Sequence, residues 1–302
     1  MERYEAELIL DAQAKLGEGP SWDERSQQLL WVDIEGYKLH RYDPATGEDQ
    51  ALDVGEHIGA VVPYTEDEVI AALFSGIYRI HLQTGEKVLI HDPEAGRPGN
   101  RFNDGKCDPF GRFVAGTMSL GDEQKAGALY SMDTTGHVRL LLSEVSTSNG
   151  LAWSADGRIF YYIDTPTLTI RAFDYDADDG SIANGRVIAE VDEREGNPDG
   201  MTIDAEGMLW VARWGGRRVS RFDPATGQVI AEIAVASEKV TSCVFGGAEL
   251  DELYITTARG DIDPGDNTKQ DGGLFRVRLG IKGTPTIAFN LGQPAHELPA
   301  TK

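Results

Sequence analysis

Cysteine is scarce in this chain: 302 residues carry two, Cys107 and Cys243. Two thiols cannot form a disulfide framework, and neither has the Cys or His neighbours of a zinc site. The pair could form one bridge, but free thiols in a reducing compartment are expected. Positive charge is short as well, with Lys plus Arg at 28 against Asp plus Glu at 50, a formal net charge of −22. Binding a phosphate backbone or an anionic membrane needs clustered cations, so neither nucleic acid nor a membrane surface is an expected partner. No run of about 18 apolar residues exists, so no membrane-spanning helix is expected. Met1-Glu2-Arg3-Tyr4-Glu5 lacks a basic segment followed by an apolar one. No signal peptide is therefore expected, and the cytoplasm is the expected address. The six histidines are isolated, with no His-Glu-x-x-His, and there is no Gly-x-Ser-x-Gly elbow. Zinc-protease and serine-hydrolase readings fall with them.

Glycine is abundant: 35 residues, spread along the whole chain. Many tight turns between short strands produce that pattern, and a helical bundle does not. The phrase Tyr42-Asp43-Pro44-Ala45-Thr46-Gly47 returns as Phe222-Asp223-Pro224-Ala225-Thr226-Gly227, with weaker copies ending at Gly85, Gly136, Gly180 and Gly280. A second phrase, a turn followed by an apolar strand, runs in step with it. Examples are Asp108-Pro109-Phe110-Gly111, Ser154-Ala155-Asp156-Gly157 and Asp204-Ala205-Glu206-Gly207. A period of about 45 residues, with about four strands in each of six units, predicts an all-β, six-bladed β-propeller. No linker interrupts it, so residues 1–302 are expected to form a single domain. Glu7-Leu8-Ile9-Leu10 precedes the first unit and is expected to supply the outer strand of the last blade, closing the ring. The tail after Pro294 is expected to fray.

The repeat also serves as a ruler. Eight residues before the turn glycine lie Asn103, Asn149 and Asp199 in the third, fourth and fifth units, and eight before Ser26 in the first lies Glu18. The looser second and sixth units land near Ala60 and Cys243. Equivalent points at the mouths of successive inner strands share one depth around a central channel. Four of the six carry side-chain oxygens, two of them carboxylates, which suits a hard divalent cation with positions left for water and substrate. The competing account is that Asn, Asp and Gly merely close strand ends. It fits any single position but not the agreement across four units.

At these residues the sequence resembles the senescence-marker-protein/gluconolactonase family. The matching phrases include Leu16-Gly17-Glu18-Gly19-Pro20-Ser21-Trp22, Asn100-Arg101-Phe102-Asn103-Asp104-Gly105-Lys106, Ser148-Asn149-Gly150-Leu151-Ala152-Trp153 and Pro198-Asp199-Gly200-Met201. The resemblance implies a six-bladed propeller holding one divalent metal through Glu18, Asn149 and Asp199. It implies sugar-lactone hydrolysis, with Arg101 and Asn103 contacting substrate hydroxyls. One departure stands out. Family members carry an acidic pair after the equivalent of Thr117-Met118, the second of which contacts substrate, whereas this chain reads Ser119-Leu120-Gly121 before Asp122 and Glu123.

The expected reaction is metal-dependent opening of a small lactone to the hydroxy acid. The cation would polarise the ring carbonyl, with Asp199 as general base or a metal-bound hydroxide in its place. Oxygen ligands favour Ca²⁺, with Mg²⁺, Mn²⁺, Zn²⁺ and Fe²⁺ as alternatives. A phosphotriesterase-like hydrolase and a non-catalytic metal-binding regulator are the alternatives to a lactonase. Asp174 to Gly180 imitates the start of an EF-hand, but Gly185 stands where a bidentate Glu is required, so a hairpin turn is expected. Asp261 to Asp266 reads as an acidic loop. His57, just before the second inner strand, is expected on a surface loop or at the pocket rim. Arg213 and Trp214 suit either the rim or inter-blade packing.

Overall fold

The computed structural model describes residues 1–260 and 270–290; the acidic loop at 261–266 and the tail after Pro294 lie outside them. The chain opens with strands β1 (Glu2–Glu5) and β2 (Glu7–Leu10). A four-stranded antiparallel sheet follows, made of β3 (Gly17–Asp23), β4 (Gln28–Asp33), β5 (Lys38–Asp43) and β6 (Glu48–Asp53). The second is β7 (Ile58–Pro63), β8 (Glu68–Leu73), β9 (Gly76–His81) and β10 (Lys87–His91). The third is β11 (Asn100–Cys107), β12 (Phe113–Ser119), β13 (Gly127–Met132) and β14 (Val138–Val145). The fourth is β15 (Ser148–Trp153), β16 (Ile159–Asp164), β17 (Thr169–Tyr175) and β18 (Ile182–Glu190).

A nine-stranded sheet holds the remainder: β19 (Asn197–Ile203), β20 (Leu209–Trp214), β21 (Arg218–Asp223), β22 (Gln228–Ala234), β23 (Lys239–Gly246), β24 (Glu252–Ala258) and β25 (Leu274–Arg278), with β1 and β2. One residue pair, Trp214 with Lys239, joins its halves. β1 adds to β22 in parallel, and β2 pairs antiparallel with β25, the neighbour expected for Glu7 to Leu10. The first strands of the units pack in the order β3, β7, β11, β15, β19, β23 and back to β3. The architecture is all-β, with its sheets in a propeller-like arrangement.

The two repeated phrases are turns held by their own aspartates. Asp204 Oδ1 accepts the N–H groups of Glu206 and Met208, and Asp108 Oδ1 those of Phe110 and Arg112. In the other phrase Asp43 and Asp223 Oδ1 accept the N–H two residues on, while the glycine N–H returns to the aspartate carbonyl. An Asx turn of this kind followed by a glycine at positive φ sets a strand end with few residues. Asp174 to Gly180 is another such hairpin: Gly180 N–H donates to Asp176 O, and the Asp174 carboxylate is taken by Asn184 and Arg186.

The core lies between neighbouring sheets. Strands β4, β8, β16, β20 and β24 are buried on both faces, so they read as near-continuous apolar runs. Ala60, Val62 and Ile70 of the second sheet meet Phe102, Phe113 and Met132 of the third. Trp22 of the first stacks on Tyr254 of the last at 5.5 Å. The segment after β25 pairs at Gly283 with Asp204 and reaches Pro63 and Gly111 through Phe289 and Asn290, across to the second and third units. Among the described residues no helix is long and apolar enough to cross a membrane. Both cysteines are buried and unbridged.

Asp204 also closes an inter-strand network, its Oδ2 accepting from Trp210 Nε1 at 2.9 Å and Arg221 Nε at 2.8 Å. Removing one partner of a buried ion pair leaves the other charge uncompensated. Asp204→Ala is therefore expected to cost about 3–5 kcal/mol in chemical denaturation. The exposed turn variant Asp223→Ala should cost clearly less; equal losses would show that the buried network adds nothing to the turn.

Candidate metal and substrate site

The inner strands share one irregularity. Each breaks register with its partner near its start: between Glu18 and Ser21, Ile58 and Ala60, Phe102 and Asp104, Asn149 and Leu151, Pro198 and Met201, and Val240 and Ser242. A bulge inserts an extra residue, bends the strand and re-aims the side chains beside it. The eight-residue ruler lands in two of these bulges, at Asn103 and Asp199, and immediately before two more, at Glu18 and Asn149. In the looser units the bulge falls at Gly59 and Thr241, one residue before Ala60 and two before Cys243. Thr241 turns its hydroxyl to Gly17 O at 2.6 Å, and Cys243 lies deeper, against Trp210 O. Gly59 is required by close approach: a Cβ there would lie 2.5 Å from the Phe102 carbonyl and 2.8 Å from Asn103 N.

Glu18, Arg101, Asn103, Asn149 and Asp199 are all buried and all come to this level. Arg101 Nη1 donates to Asn103 Oδ1 at 2.6 Å and to Phe102 O at 3.0 Å. Asn103 Nδ2 donates to Ser148 O at 2.8 Å and to Asn149 Oδ1 at 3.2 Å. Asn149 Nδ2 in turn donates to Thr165 Oγ1 at 2.9 Å, and that hydroxyl donates to Pro198 O at 2.8 Å. With its NH₂ held by Thr165, Asn149 keeps its amide oxygen on the side of Asn103. The relay ends on the residue before Asp199.

Two carboxyls face each other's charge. Burial raises Glu18 well above the ordinary carboxylate range, reinforced by Asp199 and then Asp104 and opposed by the Gly19 N–H and Arg101. Burial likewise raises Asp199, with Asp104 adding to it and the Gly200 N–H and Arg101 opposing. Among the described residues no three His, Cys, Asp and Glu side chains converge as a metal-holding group. A cation would rest on the two carboxylates and the Asn149 amide oxygen. That donor set fits a hard dication: two buried like charges, with Arg101 directed to Asn103 and Phe102 O, lack an opposite charge between them.

Sequence reasoning passed over Asp104 and Lys106. Asp104 accepts N–H groups from Gly105 at 2.7 Å and from Gly150. Lys106 Nζ donates to Met201 O of β19 at 2.8 Å, two units away, so it reaches across the channel. Burial lowers its pKa, opposed by Asp104. Strict alternation from Asn103 would have turned both residues outward; the bulge at Asn103 turns them in. Arg213 proves to be packing, fully buried and bonded to Gly196 O and Asp192 O. His57 is half-buried at the mouth.

Residues 16–259 match the SMP-30/Gluconolactonase/LRE-like region. The YvrE protein of Bacillus subtilis strain 168, provisionally named a sugar lactone lactonase, is 41% identical over 287 residues, 94% of this chain and 98% of its own. Homo sapiens regucalcin is 38% identical over 297 residues, 96% of this chain and 99% of its own. The crystal structure of a calcium-binding protein, regucalcin from Agrobacterium tumefaciens strain C58, superposes with a TM-score of 0.91 at 29% identity, covering 96% of this chain and 99% of that one. On the extent of these matches, the chain belongs to the SMP-30/gluconolactonase/LRE-like family.

Proposed function

We propose that the protein is a metal-dependent hydrolase opening small lactones, sugar lactones foremost, to hydroxy acids. The observation that carries this is the pair of buried carboxylates, Glu18 and Asp199, beside a fixed amide oxygen and a buried arginine, in a chain whose relatives include named lactonases. The unit repeat and the cyclic packing of inner strands support a six-bladed propeller over residues 1–302 as one domain, closed where β2 joins β25. The unbridged buried thiols suit a reducing compartment, the cytoplasm.

Glu18, Asn149 and Asp199 would hold one divalent ion, with Ca²⁺ the first choice for oxygen donors. When bound, that ion supplies Lewis-acid polarisation of the lactone carbonyl. Arg101 and Asn103 bind substrate hydroxyls, their side chains linked so that one orients the other. Asp199 takes the proton of the attacking water as the C–O bond forms at the carbonyl carbon. It returns that proton to the ring oxygen as the ring C–O bond breaks. The products are a carboxylic acid and a free hydroxyl, and no other co-reactant is needed.

The first expected outcome concerns ion content. Elemental analysis after dialysis should find about one tightly held divalent ion per chain for this three-ligand site. Glu18→Ala with Asp199→Ala should lose it together with lactonase activity. Asp179→Ala, in an exposed hairpin turn, should lose neither. Unchanged stoichiometry in the double variant would remove the site assignment.

The second concerns pH. A carboxyl whose folded pKa is raised costs nothing below its unfolded value near 4, and its burial increasingly destabilises the metal-free chain as pH rises towards the folded value. Asp199→Asn should therefore stabilise metal-free protein more at pH 8 than at pH 4.5. Thermal melts after chelation would check it. An equal gain at both pH values would show that the carboxylate charge is not the cause.

A further inference from the structure

One side of the site's mouth carries side chains that this chemistry leaves unused. Gly59 seats β7 against Phe102 and Asn103 of β11. Two residues before these contacts lie His57, which immediately precedes β7, and Arg101, the second residue of β11, near enough for the Arg101 charge to act on the imidazole. The His57 ring lies edge-on to Tyr37, with centroids 5.0 Å apart, and tilted against Phe74 at 6.2 Å. Tyr37 and Glu35 belong to the β4–β5 hairpin. Asp33 ties that hairpin to the entry of β3 by accepting the N–H groups of Lys15, Leu16 and Gly36. The shelf therefore stands on the same anchored chain that presents Glu18.

Two of its polar groups, both open to solvent, have no protein partner among the described residues. Among the described residues neither His57 ring nitrogen has a hydrogen-bond partner, and the exposed Glu35 carboxylate has none. Burial and then Arg101 lower the His57 pKa, opposed by Glu35 and Glu56, so the neutral ring is favoured near neutrality. A neutral imidazole donates from one nitrogen and accepts at the other. Glu35 acts on Arg101 more strongly than any other acid, ahead of Glu18, Asp199 and Asp122. In Arg101's own unit, where Arg101 pairs with Met118 and Asn100 with Ser119, Leu120 is exposed and the Gly121 N–H is directed back to Ser119 Oγ, so that loop presents no side-chain acceptor at 120 and 121.

We propose that His57, held between Tyr37 and Phe74 within reach of the Glu35 charge, selects hydroxylated ring substrates, supplying a polar contact that Leu120 and Gly121 do not offer. Tyr37 and Phe74 pack on the C–H face of the ring, while His57 and Glu35 engage its hydroxyls. This rests on the lactone reading above.

The test compares metal-loaded wild type, His57→Ala, His57→Gln and Glu35→Gln on glucono-1,5-lactone and on unsubstituted δ-valerolactone. Calorimetric binding of non-hydrolysable glucono-1,5-lactam provides a readout independent of turnover. In His57→Ala, kcat/KM should fall at least about tenfold further on the sugar lactone than on valerolactone, the worth of one hydrogen bond, and mainly through KM. His57→Gln should recover part of the loss. It also serves in place of the alanine variant if melting shows that variant unfolded. Equal losses on the two lactones, or none, overturn the proposal. If wild type hydrolyses neither lactone, the lactone reading fails and lactam binding decides the subsite alone: weaker binding in the His57 variants supports it, while unchanged binding, or no binding to wild type, overturns it.

Discussion

Everything at the site depends on how closely the inner strands approach one another. A β-strand alternates its side chains, so an unbroken strand cannot aim adjacent residues into one channel. The register break in each inner strand lifts that restriction at one depth, and the candidate ligands sit in or beside those breaks. The same breaks need room. Gly59 lies where a side chain would strike Phe102 and Asn103, and Gly200 where one would strike Ser242. Gly59, Gly150 and Gly200 thus permit the close strand contacts that the neighbouring oxygen groups exploit.

This explains which parts were legible beforehand. The period came from turn chemistry: Asp43, Asp108, Asp204 and Asp223 each bond the N–H two residues on, so similar phrases mark similar strand ends. Counting back from those ends found Glu18, Asn103, Asn149 and Asp199, because the distance from turn to bulge is held to within about one residue in those units. It drifted at Cys243, two residues past the bulge at Thr241. Asp104 and Lys106 were illegible for a different reason: they face the channel only because Asn103 interrupts alternation, and nothing in a single sequence announces a bulge. His57 lay between two readings, and the rings of Tyr37 and Phe74, from two other loops, fix it at the mouth.

Charge at this level is distributed against the average of the chain. A protein of net charge −22 places two of its cations, Arg101 and Lys106, beside three buried acids, Glu18, Asp104 and Asp199. Lys106 lies close enough to offset Asp104 and bonds Met201 O, while Arg101 offsets Glu18 and Asp199 only in part. One acid charge remains without a counterpart. In a low-dielectric site that imbalance favours a protonated carboxyl or a recruited cation, and burial pushes Glu18 and Asp199 in the corresponding upward direction.

The hydrogen-bond relay from Arg101 through Asn103, Asn149 and Thr165 to Pro198 makes these residues a unit rather than a set. Each amide has its oxygen and nitrogen assigned by the next member, so removing Thr165 would free Asn149 to rotate and would loosen Asn103 behind it. Side chains in one network couple, and the losses from single substitutions then fail to add. Thr165 follows the last residue of β16 and lies outside every inner strand. A site residue's orientation here is therefore set by a connection that neither the repeat nor the ligand chemistry would single out.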